Sequence, residues 1–471
     1  MPTTQLPLMK GTGKDYRNAD YVDLLPVNML ATPKEVLSAA GYLRSFPGIV
    51  KRNDVSGTSR AAQFNTSQNA VYRVLGTKIY KAGMEVGTVS GGGRVSLSHS
   101  ATSQAVAVNG ELKLYRYDNT VKTLSNWPSA DFSQYEIGFV RDVCRLRGRY
   151  IWVKDGTDTF GVTDLEDESH PDRYRPFYQA ESQPDGIQAC DVWRDFLVMF
   201  GTSTIEYFSL TGASDATAAI YVSQPSLMVS KGIAGTRCKA RFGDNYAFIS
   251  HQATGAPSVY IINSGQSTPI ASASVEKVIR SYSADDLSSG VMETLRFDSH
   301  ELLIIHLPRH VLCYDASASQ NGPQWCILKS GLADSVHRAI DYMFENNELS
   351  VGDKLTGVTG TLSFSSSAQY ENQTEHVLYT PMFKADNARV FDFELESATG
   401  VSQEAEKLFL SATADGSNYG AEKMLSSNSS FIYDKRVIWR RMGRIRKNIG
   451  FKVRVVTRSP VTLSGCSVRV E

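Results

Sequence analysis

The stretch HELLIIHLPRHVLCYD, His300 to Asp315, decides the fold because it reads as strand, turn and strand. The runs LLII and HVLCY are rich in aliphatic and β-branched residues, and Pro308 between them breaks regular structure. Alternate residues of a strand point to opposite faces, and both faces of the first run are apolar. The stretch therefore predicts a buried β-hairpin.

The three histidines of this stretch also raise the alternative of a metal site. A zinc protease needs His-Glu-x-x-His on one helix face. Here four residues separate Glu301 from His306, and Pro308 lies between His306 and His310. Because this spacing fits no zinc pattern, the hairpin is favoured and no cofactor is expected.

The strand-turn-strand unit recurs along the chain. Seven copies begin at Ala70, Ala105, Arg149, Arg194, Asn245, His300 and Ala339. Their mean spacing of about 45 residues is the period of a four-stranded propeller blade. We therefore predict an all-β fold, a β-propeller of about six to seven blades. An array of immunoglobulin-type sandwiches is the alternative, but such arrays rarely repeat one unit at this interval.

Changes in sequence texture divide the chain into three parts. Residues 1–66 are rich in Pro and Gly and predict an extended N-terminal arm, and residues 67–362 carry the propeller repeats. A polar, Ser-rich junction then leads into residues 363–471, where alternating apolar residues predict a basic C-terminal β-sandwich.

Two segments interrupt the β pattern. In the arm, Thr32 can cap a helix and Gly41 can end it, which predicts a short helix from Pro33 to Ala40. Near residues 272–290, the apolar spacing and a possible cap at Ser274 predict a helical insertion in the propeller.

Composition limits the class of protein. The chain has 471 residues, 42% of them hydrophobic, which suits several domains or one large repeat domain with an appendage. It contains no run of eighteen apolar residues, so we expect no membrane insertion. Six cysteines without a Cys-x-x-Cys pair are expected to be buried thiols in a reducing compartment.

The net charge of zero hides an uneven distribution. Residues from Lys435 to Glu471 include eleven Lys and Arg and one acid, whereas the first 434 residues carry 38 basic and 48 acidic side chains. The C-terminal tenth of the chain is therefore a cationic surface on an acidic body.

The basic segment from Lys435 to Arg458 is the main candidate site. It can face phosphate backbones without reading bases, or it can dock on an acidic partner subunit. Nothing in it resembles a base-reading module, so any contact with double-stranded DNA should be independent of sequence. The candidate residues are Lys435, Arg436, Arg440, Arg441, Arg444, Arg446, Lys447, Lys452, Arg454 and Arg458.

A second candidate is the acidic loop TDLEDESHPDRYRP, Thr163 to Pro176. Its acids lack the order of a calcium-binding EF-hand loop, so we favour a solvated or partner-facing loop. The candidate residues are Asp164, Glu166, Asp167, Glu168 and Asp172.

Some propellers are carbohydrate-active enzymes, whose acids and arginines converge where the inner strands reach the axis. The expected inner strands lie at 105–108, 196–200, 246–249 and 302–306, and they show no convergent set. An enzyme acting on host surface polysaccharide stays the alternative to a structural role.

Longer phrases carry a family resemblance. KGTGKDYRNADYVDLLPVNMLATPKEV from Lys10, HELLIIHLPRHVLCYDAS from His300 and RRMGRIRKNIGFKVRV from Arg440 resemble the packaged DNA stabilisation proteins of Lederbergvirus-type short-tailed phages, also called tail accessory factors, hubs or nozzles. The resemblance runs from Met1 to Glu471.

This resemblance implies a structural protein of the virion tail, assembled in the host cytoplasm, and not an enzyme. It implies a hexameric ring below the portal and its adaptor that retains packaged DNA, carries tailspikes and the tail needle, and later conducts DNA during ejection. A conduit that held DNA tightly would oppose its exit. We therefore expect the basic segment to be mostly neutralised by partners, or to present a thin ring of Arg to the lumen.

Overall fold

The computed structural model describes residues 3–9, 11–16, 19–36, 39–123, 137–165, 167–168, 170–180, 182–183, 185–212, 218–263, 265–384, 386–402, 404, 406–427 and 430–471. Within these ranges, seven successive antiparallel sheets of four or five strands form the blades of a propeller, and two further sheets form a C-terminal sandwich. The predicted all-β architecture is confirmed, and the blades number seven.

Each blade is numbered by its place in the chain, and its strands are given from the first to the last in the sheet. The blades are: one, Ser59–Asn65, Ala70–Leu75, Lys78–Lys81, Met84–Thr88; two, Ser96–His99, Ser103–Val108, Glu111–Arg116, Val121–Thr123; three, Val140–Leu146, Arg149–Lys154, Thr159–Val162, Phe177–Gln179; four, Ile187–Trp193, Phe196–Gly201, Ile205–Leu210, Tyr221–Ser223; five, Lys239–Phe242, Asn245–Ile249, Val259–Asn263, Gln266–Pro269; six, Val291–Phe297, His300–His306, Val311–Asp315, Gln324–Ser330, Ser335–Val336; seven, Ala339–Glu345, Glu348–Asp353, Val358–Ser363, Gly48–Asp54. First strands of neighbouring blades contact one another, so they surround the propeller axis.

Tight two-residue turns join several of these strands. Asn109 and Gly110 both have positive φ, 49° and 81°, and Asn346 and Asn347 have φ of 51° and 64°. Positive φ at both central residues gives the turn whose twist matches a β-hairpin, and Asn and Gly adopt it at little cost. The Asn-Gly and Asn-Asn pairs in the sequence therefore set the register of these hairpins.

The N-terminal part of the chain closes the propeller. Gly48–Asp54 is the last strand of blade seven, where it pairs with Val358–Ser363, and Ser59–Asn65 begins blade one. The ring is thus fastened by a strand that comes before blade one in sequence. This differs from the division expected at residue 66, because the polar strand Gly48–Asp54 carries little apolar periodicity of its own.

Apolar clusters fill six of the seven junctions between neighbouring blades. The described residues between blades seven and one are joined by polar groups instead. Ser59 Oγ donates to Asp341 Oδ2 (2.6 Å), and Arg73 donates to the Asp341 carbonyl (3.0 Å) and to Ser350 Oγ (3.2 Å). The closing seam of the ring is therefore held by directional hydrogen bonds.

The C-terminal sandwich incorporates strands from the arm. Phe393 and Phe451 meet in its core with ring centroids 4.8 Å apart, beside the buried Trp439. The first sheet has the order Met29–Thr32, Tyr42–Ser45, Thr462–Val470, Arg389–Ser397, Val437–Arg444, with Thr3–Leu6 also paired to Thr462–Val470; the second has the order Thr374–Tyr379, Asn448–Thr457, Glu406–Thr413, Lys423–Ser427, with Phe383–Lys384 also paired to Asn448–Thr457. These arm strands pair within their own chain.

The helix expected at Pro33–Ala40 is wrong in the described residues. Residues 33–35 have no regular structure, Val36 and Ala39 form an isolated bridge, and residues 37 and 38 lie outside the described part. The segment joins two neighbouring antiparallel strands that lie about 5 Å apart, whereas eight helical residues would extend about 12 Å. Sheet pairing on both sides therefore overrides the capping pattern.

The insertion between blades five and six contains two short helices. They span Ala273–Arg280 and Ala284–Ser288, within the range where the sequence predicts helix. Outside the insertion, single-turn 3-10 helices lie at Pro225–Leu227, Gln252–Thr254 and Ser319–Asn321. The cap is Ser272, whose Oγ accepts from the Val275 N–H (3.4 Å), and not Ser274. The remaining short sheet is the hairpin of Thr12–Asp15 and Asp20–Asp23.

One arm residue connects the propeller to the sandwich. Asn28 is 2% exposed and has φ of 54°. Its Nδ2 donates to the Glu375 carbonyl of the sandwich (2.8 Å), and its Oδ1 accepts from the Lys329 N–H of blade six (2.9 Å). The adjacent Val27 exchanges backbone hydrogen bonds with Val377. The arm therefore forms a clip between the two domains.

Candidate functional site

The basic segment forms two strands from opposite sheets of the sandwich and the turn between them. Val437–Arg444 is an edge strand of the first sheet, and Asn448–Thr457 is a central strand of the second. In the turn, Ile445 is 4% exposed, and its N–H donates to the Ala388 carbonyl (2.7 Å). A buried apolar side chain thus anchors a turn whose neighbours are basic and exposed.

Half of the predicted cationic residues are engaged within the sandwich. Arg454 binds Glu422 through two nitrogens and lies 4.1 Å from the centre of the Phe409 ring. Lys435 lowers the pKa of Glu406, whose pKa is nevertheless raised, chiefly by burial. The remaining ion pairs are Arg436 with Glu394 (2.6 Å), Lys452 with Glu422 (3.8 Å) and Arg458 with Glu404 (2.9 Å).

The other five cations form what we name the cationic turn, which consists of Arg440, Arg441, Arg444, Arg446 and Lys447. All five are exposed, and none makes an ion pair within 4 Å with a residue that the structure describes. Exposed, unpaired cations on an anchored turn can bind phosphate oxygens or an acidic protein surface without first breaking internal ion pairs.

The acidic loop is folded against blades two and three. Asp172 is 3% exposed, and Glu168 accepts from Ser103 Oγ; neither side chain offers the partner-facing surface that the sequence suggests. Glu166 lies outside the described residues. Four acids of the loop form ion pairs: Asp164 with Arg173 (3.2 Å), Asp167 with His170 (3.2 Å), Glu168 with Arg145 (3.5 Å) and Asp172 with Arg149 (2.5 Å). The loop therefore loses most of its charge to local partners.

The assignment of inner strands from sequence is wrong. The runs at 105–108, 196–200, 246–249 and 302–306 belong to the second strands of their blades. A second strand packs between neighbouring blades and is apolar on both faces, whereas the first strands also face the axis. The true inner strands, such as VRDVCRL from Val140 and KARF from Lys239, carry charges.

The propeller axis does hold the convergent set of acids and bases that the sequence reading missed. In one half, Lys239 Nζ lies 3.5 Å from Asp142 and 3.9 Å from Asp191, and Arg241 donates to Asp191 (2.8 Å). Burial alone would lower the pKa of Lys239, but the two carboxylates outweigh burial and raise it. The sequence did carry a signal for these axial charges. It is a pair of cations two residues apart on the first strand of a blade, such as Lys239 and Arg241.

The other half of the axis adjoins the closing seam. Arg94 forms a close ion pair with the buried Asp341, and Glu293 accepts from the N–H groups of Asp341 (3.0 Å) and Tyr342 (2.9 Å). Burial and the neighbouring charge of Asp341 raise the pKa of Glu293 to about 7. These carboxylates are occupied by protein donors, which suits a structural role.

The histidines of the opening stretch have separate partners. His300 Nδ1 lies 2.6 Å from Asp315, His306 Nε2 lies 2.8 Å from Glu293, and His310 Nδ1 lies 2.6 Å from the Tyr282 hydroxyl. Across the described ranges, no group of three His, Cys, Asp or Glu is arranged to hold a metal ion. No helix in those ranges is long and apolar enough to cross a membrane.

Comparison with protein families gives two adjacent matches. Residues 4–367 match the family described as Bacteriophage P22 Gp10, beta-propeller, and residues 375–471 match Bacteriophage P22 Gp10, beta-sandwich. The chain is also 68% identical over 472 residues to the tail hub protein gp10 of Salmonella phage P22, covering 100% of both chains.

Two solved structures are distant likenesses of this chain. An exo-beta-1,3-galactanase from Phanerochaete chrysosporium aligns with TM-score 0.32 and 11% identity, covering 88% of this chain and 100% of the enzyme. BamB from Moraxella catarrhalis aligns with TM-score 0.37 and 10% identity, covering 77% and 98%. At these scores neither likeness bears on function.

Proposed function

This chain belongs to the Bacteriophage P22 Gp10 family, and from that membership we propose that it forms the ring that closes the DNA channel of a short phage tail. It is a structural component of the virion tail and not an enzyme, since both of its domains match a family of tail hub proteins. The observation that carries the proposal is 68% identity over the full length of the P22 tail hub protein. Identity across both domains supports transfer of the whole role.

The finer role follows from family membership together with the shape of the chain. We infer a hexameric ring that attaches below the portal and its adaptor, retains packaged DNA and supports the tailspikes and the tail needle. A seven-bladed propeller offers broad rigid surfaces for such contacts. Because the described arm strands pair internally, we expect ring contacts on the propeller and sandwich surfaces.

The cationic turn is the proposed place for contact with DNA. Each subunit would bring one compact group of five exposed cations toward the channel, which is the thin basic ring expected of a conduit. The paired remainder of the basic segment is already neutralised within the sandwich. Weak contacts with phosphates, made without reading bases, would hold the last DNA segment and still permit exit.

The role in retention is tested by disrupting the coding sequence in the phage. Heads are isolated after packaging, and DNA retention and tail completeness are scored by electron microscopy. Heads that package DNA and then lose it support the proposal. Filled, stable heads with intact tails that fail only on host cells would contradict it and move the function to recognition of the host surface.

The DNA contact is tested with matched double variants. Arg444→Gln with Arg446→Gln removes two unpaired cations, and Arg436→Gln with Arg458→Gln removes two paired ones as a control. Binding of two unrelated duplexes is measured by fluorescence anisotropy between 50 and 200 mM salt. The first variant should reduce the slope of log affinity against log salt by about 1.8, since each neutralised phosphate contributes about 0.9. The control should change it by much less.

If both double variants show the same slope of log affinity against log salt, the cationic turn does not contact DNA. That outcome favours the alternative, in which the turn binds an acidic protein partner. A virion test then separates the two readings of the turn. If rings with all five cations changed to Glu assemble and eject DNA at the normal rate, the turn does not face the lumen.

A further inference from the structure

The propeller encloses a large polar cavity at its axis. The cavity has a volume of about 510 Å³ and is lined by the first strands of blades one to five. A second cavity of about 320 Å³ continues along the axis toward blades six and seven. The two share Gln63, Leu97, Asp191, Arg237, Lys239 and Arg241. A single water molecule occupies about 30 Å³, so the space suits an organic ligand.

The acids that line the larger cavity have most of their acceptor positions occupied by the protein. Asp142 accepts from the N–H groups of Val143 (3.0 Å) and Cys190 (3.1 Å) and from Ser96 Oγ. Asp191 accepts from Arg241 and from the Val192 N–H (2.8 Å). Few acceptor positions therefore remain for a ligand that brings donors, such as a polyamine.

Donors in the same wall remain available. Lys239 Nζ is too far from either carboxylate for a strong hydrogen bond, and its side chain is 10% exposed. His99 Nδ1 is buried without a hydrogen-bond partner among the described residues, and Arg145 Nε makes no hydrogen bond there, although it lies 3.5 Å from Glu168. A ligand that fits this wall must bring acceptors.

The balance of charge also favours a negative ligand. The larger cavity is lined by four cations, Arg145, Arg237, Lys239 and Arg241, and by two carboxylates. Glu168, which is not in the lining, pairs with Arg145, so the cations still outnumber the acids. Burial, the largest effect, lowers the pKa of Arg237, so the nearby carboxylates do not fully compensate its charge. A buried cation of this kind is stabilised by an anion that enters the cavity.

From these observations we propose that the axial cavity binds a small organic oxyanion with two or more carboxylate or phosphate groups. Lys239 and Arg237 would bind one group near the centre, and Arg145 would bind a second group on the blade-three side. Such a ligand would add acceptors between inner strands of different blades. It would stabilise the ring by mass action, because an unfolded chain has no such cavity.

Citrate is the probe for a calorimetric titration of the full-length protein at low ionic strength. We expect one saturable site per chain. Lys239→Met should weaken binding at least tenfold, and Lys239→Arg should largely retain it. Lys407→Met, a change on the exposed face of the sandwich, is the control for total charge. Arg444→Gln with Arg446→Gln should leave binding unchanged, which separates this site from the cationic turn.

A second measurement does not depend on the folding of any variant. Crystals of the unaltered protein are soaked in tungstate, a tetrahedral oxyanion with a strong anomalous signal. A peak within hydrogen-bond distance of Lys239 Nζ supports the site. Absence of that peak, absence of saturable citrate binding, or equal binding by a folded Lys239→Met variant would overturn the proposal.

Discussion

Replacing Asn28 tests whether one residue of the arm fastens the sandwich to the propeller. Its side chain bridges Lys329 of blade six and Glu375 of the sandwich, and its carbonyl accepts from the Phe46 N–H (2.9 Å). Asn28→Ala keeps the backbone bonds and removes both side-chain bonds. We therefore expect the variant to fold but to open at the contact between the domains.

The size of the effect follows from the groups left behind. The part-buried Lys329 N–H loses its acceptor, which costs about 1–3 kcal/mol, and the bond to the Glu375 carbonyl contributes about 1 kcal/mol. Alanine at a φ of 54° adds about 1 kcal/mol, because asparagine tolerates the left-handed region better. The sum is about 4 kcal/mol, or about a thousandfold in an opening equilibrium.

Hydrogen exchange followed by mass spectrometry measures this opening segment by segment. Exchange in Thr374–Tyr379 should accelerate by about a thousandfold in Asn28→Ala, while the distant blade three keeps its protection. Asn28→Gly should destabilise the contact less than Asn28→Ala, because glycine adopts positive φ without the backbone strain of alanine. Asn119→Ala, at an exposed turn with φ of 69°, is the control for the cost of alanine at positive φ alone. Acceleration below tenfold, or equal to that of Asn119→Ala, would refute the clip.

Three further outcomes are expected. Asp341→Asn should lower the free energy of unfolding by about 3 kcal/mol in urea, because it removes the buried carboxylate that pairs with the partly buried Arg94. Burial lowers the pKa of His376 to about 4. At this residue the unfolded chain therefore binds more protons between pH 6.5 and 4, so His376 alone should lower the free energy of unfolding by about 3 kcal/mol over that range. His376→Gln should remove that part of the pH dependence of the unfolding free energy measured in urea. Arg454→Met should cost about 1–2 kcal/mol through Glu422 and leave duplex affinity unchanged, which calorimetry and anisotropy can separate.

The blades were predictable from sequence because each hairpin carries its own information. The run at His300–Asp315 is apolar on both faces and broken by Pro308. In blade two, the Asn109–Gly110 turn fixes the register of the hairpin that it joins. Two features of the propeller required long-range information. The strand Gly48–Asp54 is defined by a partner some 300 residues away, and Pro33–Ala40 has helix signals that lose to sheet pairing on both sides.

For the candidate site too, local sequence predicted one part, and the other part required the fold. The basic composition of Lys435–Arg458 identified the segment, but only the fold shows which cations meet acids. Arg436, for example, lies beside Glu394 through strand pairing, whereas Arg444 lies opposite Arg389. The axial charges were missed because the most apolar runs were taken as the inner strands. In a propeller, the strand nearest the axis is the more polar one.

The polar seam between blades seven and one fixes how the propeller of a single chain closes. Apolar junctions tolerate small shifts, because hydrophobic burial has no direction. The bonds of Asp341 to Ser59 and of Arg73 to Ser350 form only in one register, so they fix how the first and last blades meet. The same N-terminal segment then continues into the clip at Asn28 and the sandwich sheet. The one N-terminal segment therefore couples closure of the propeller to placement of the sandwich, which would suit the ring subunit proposed above.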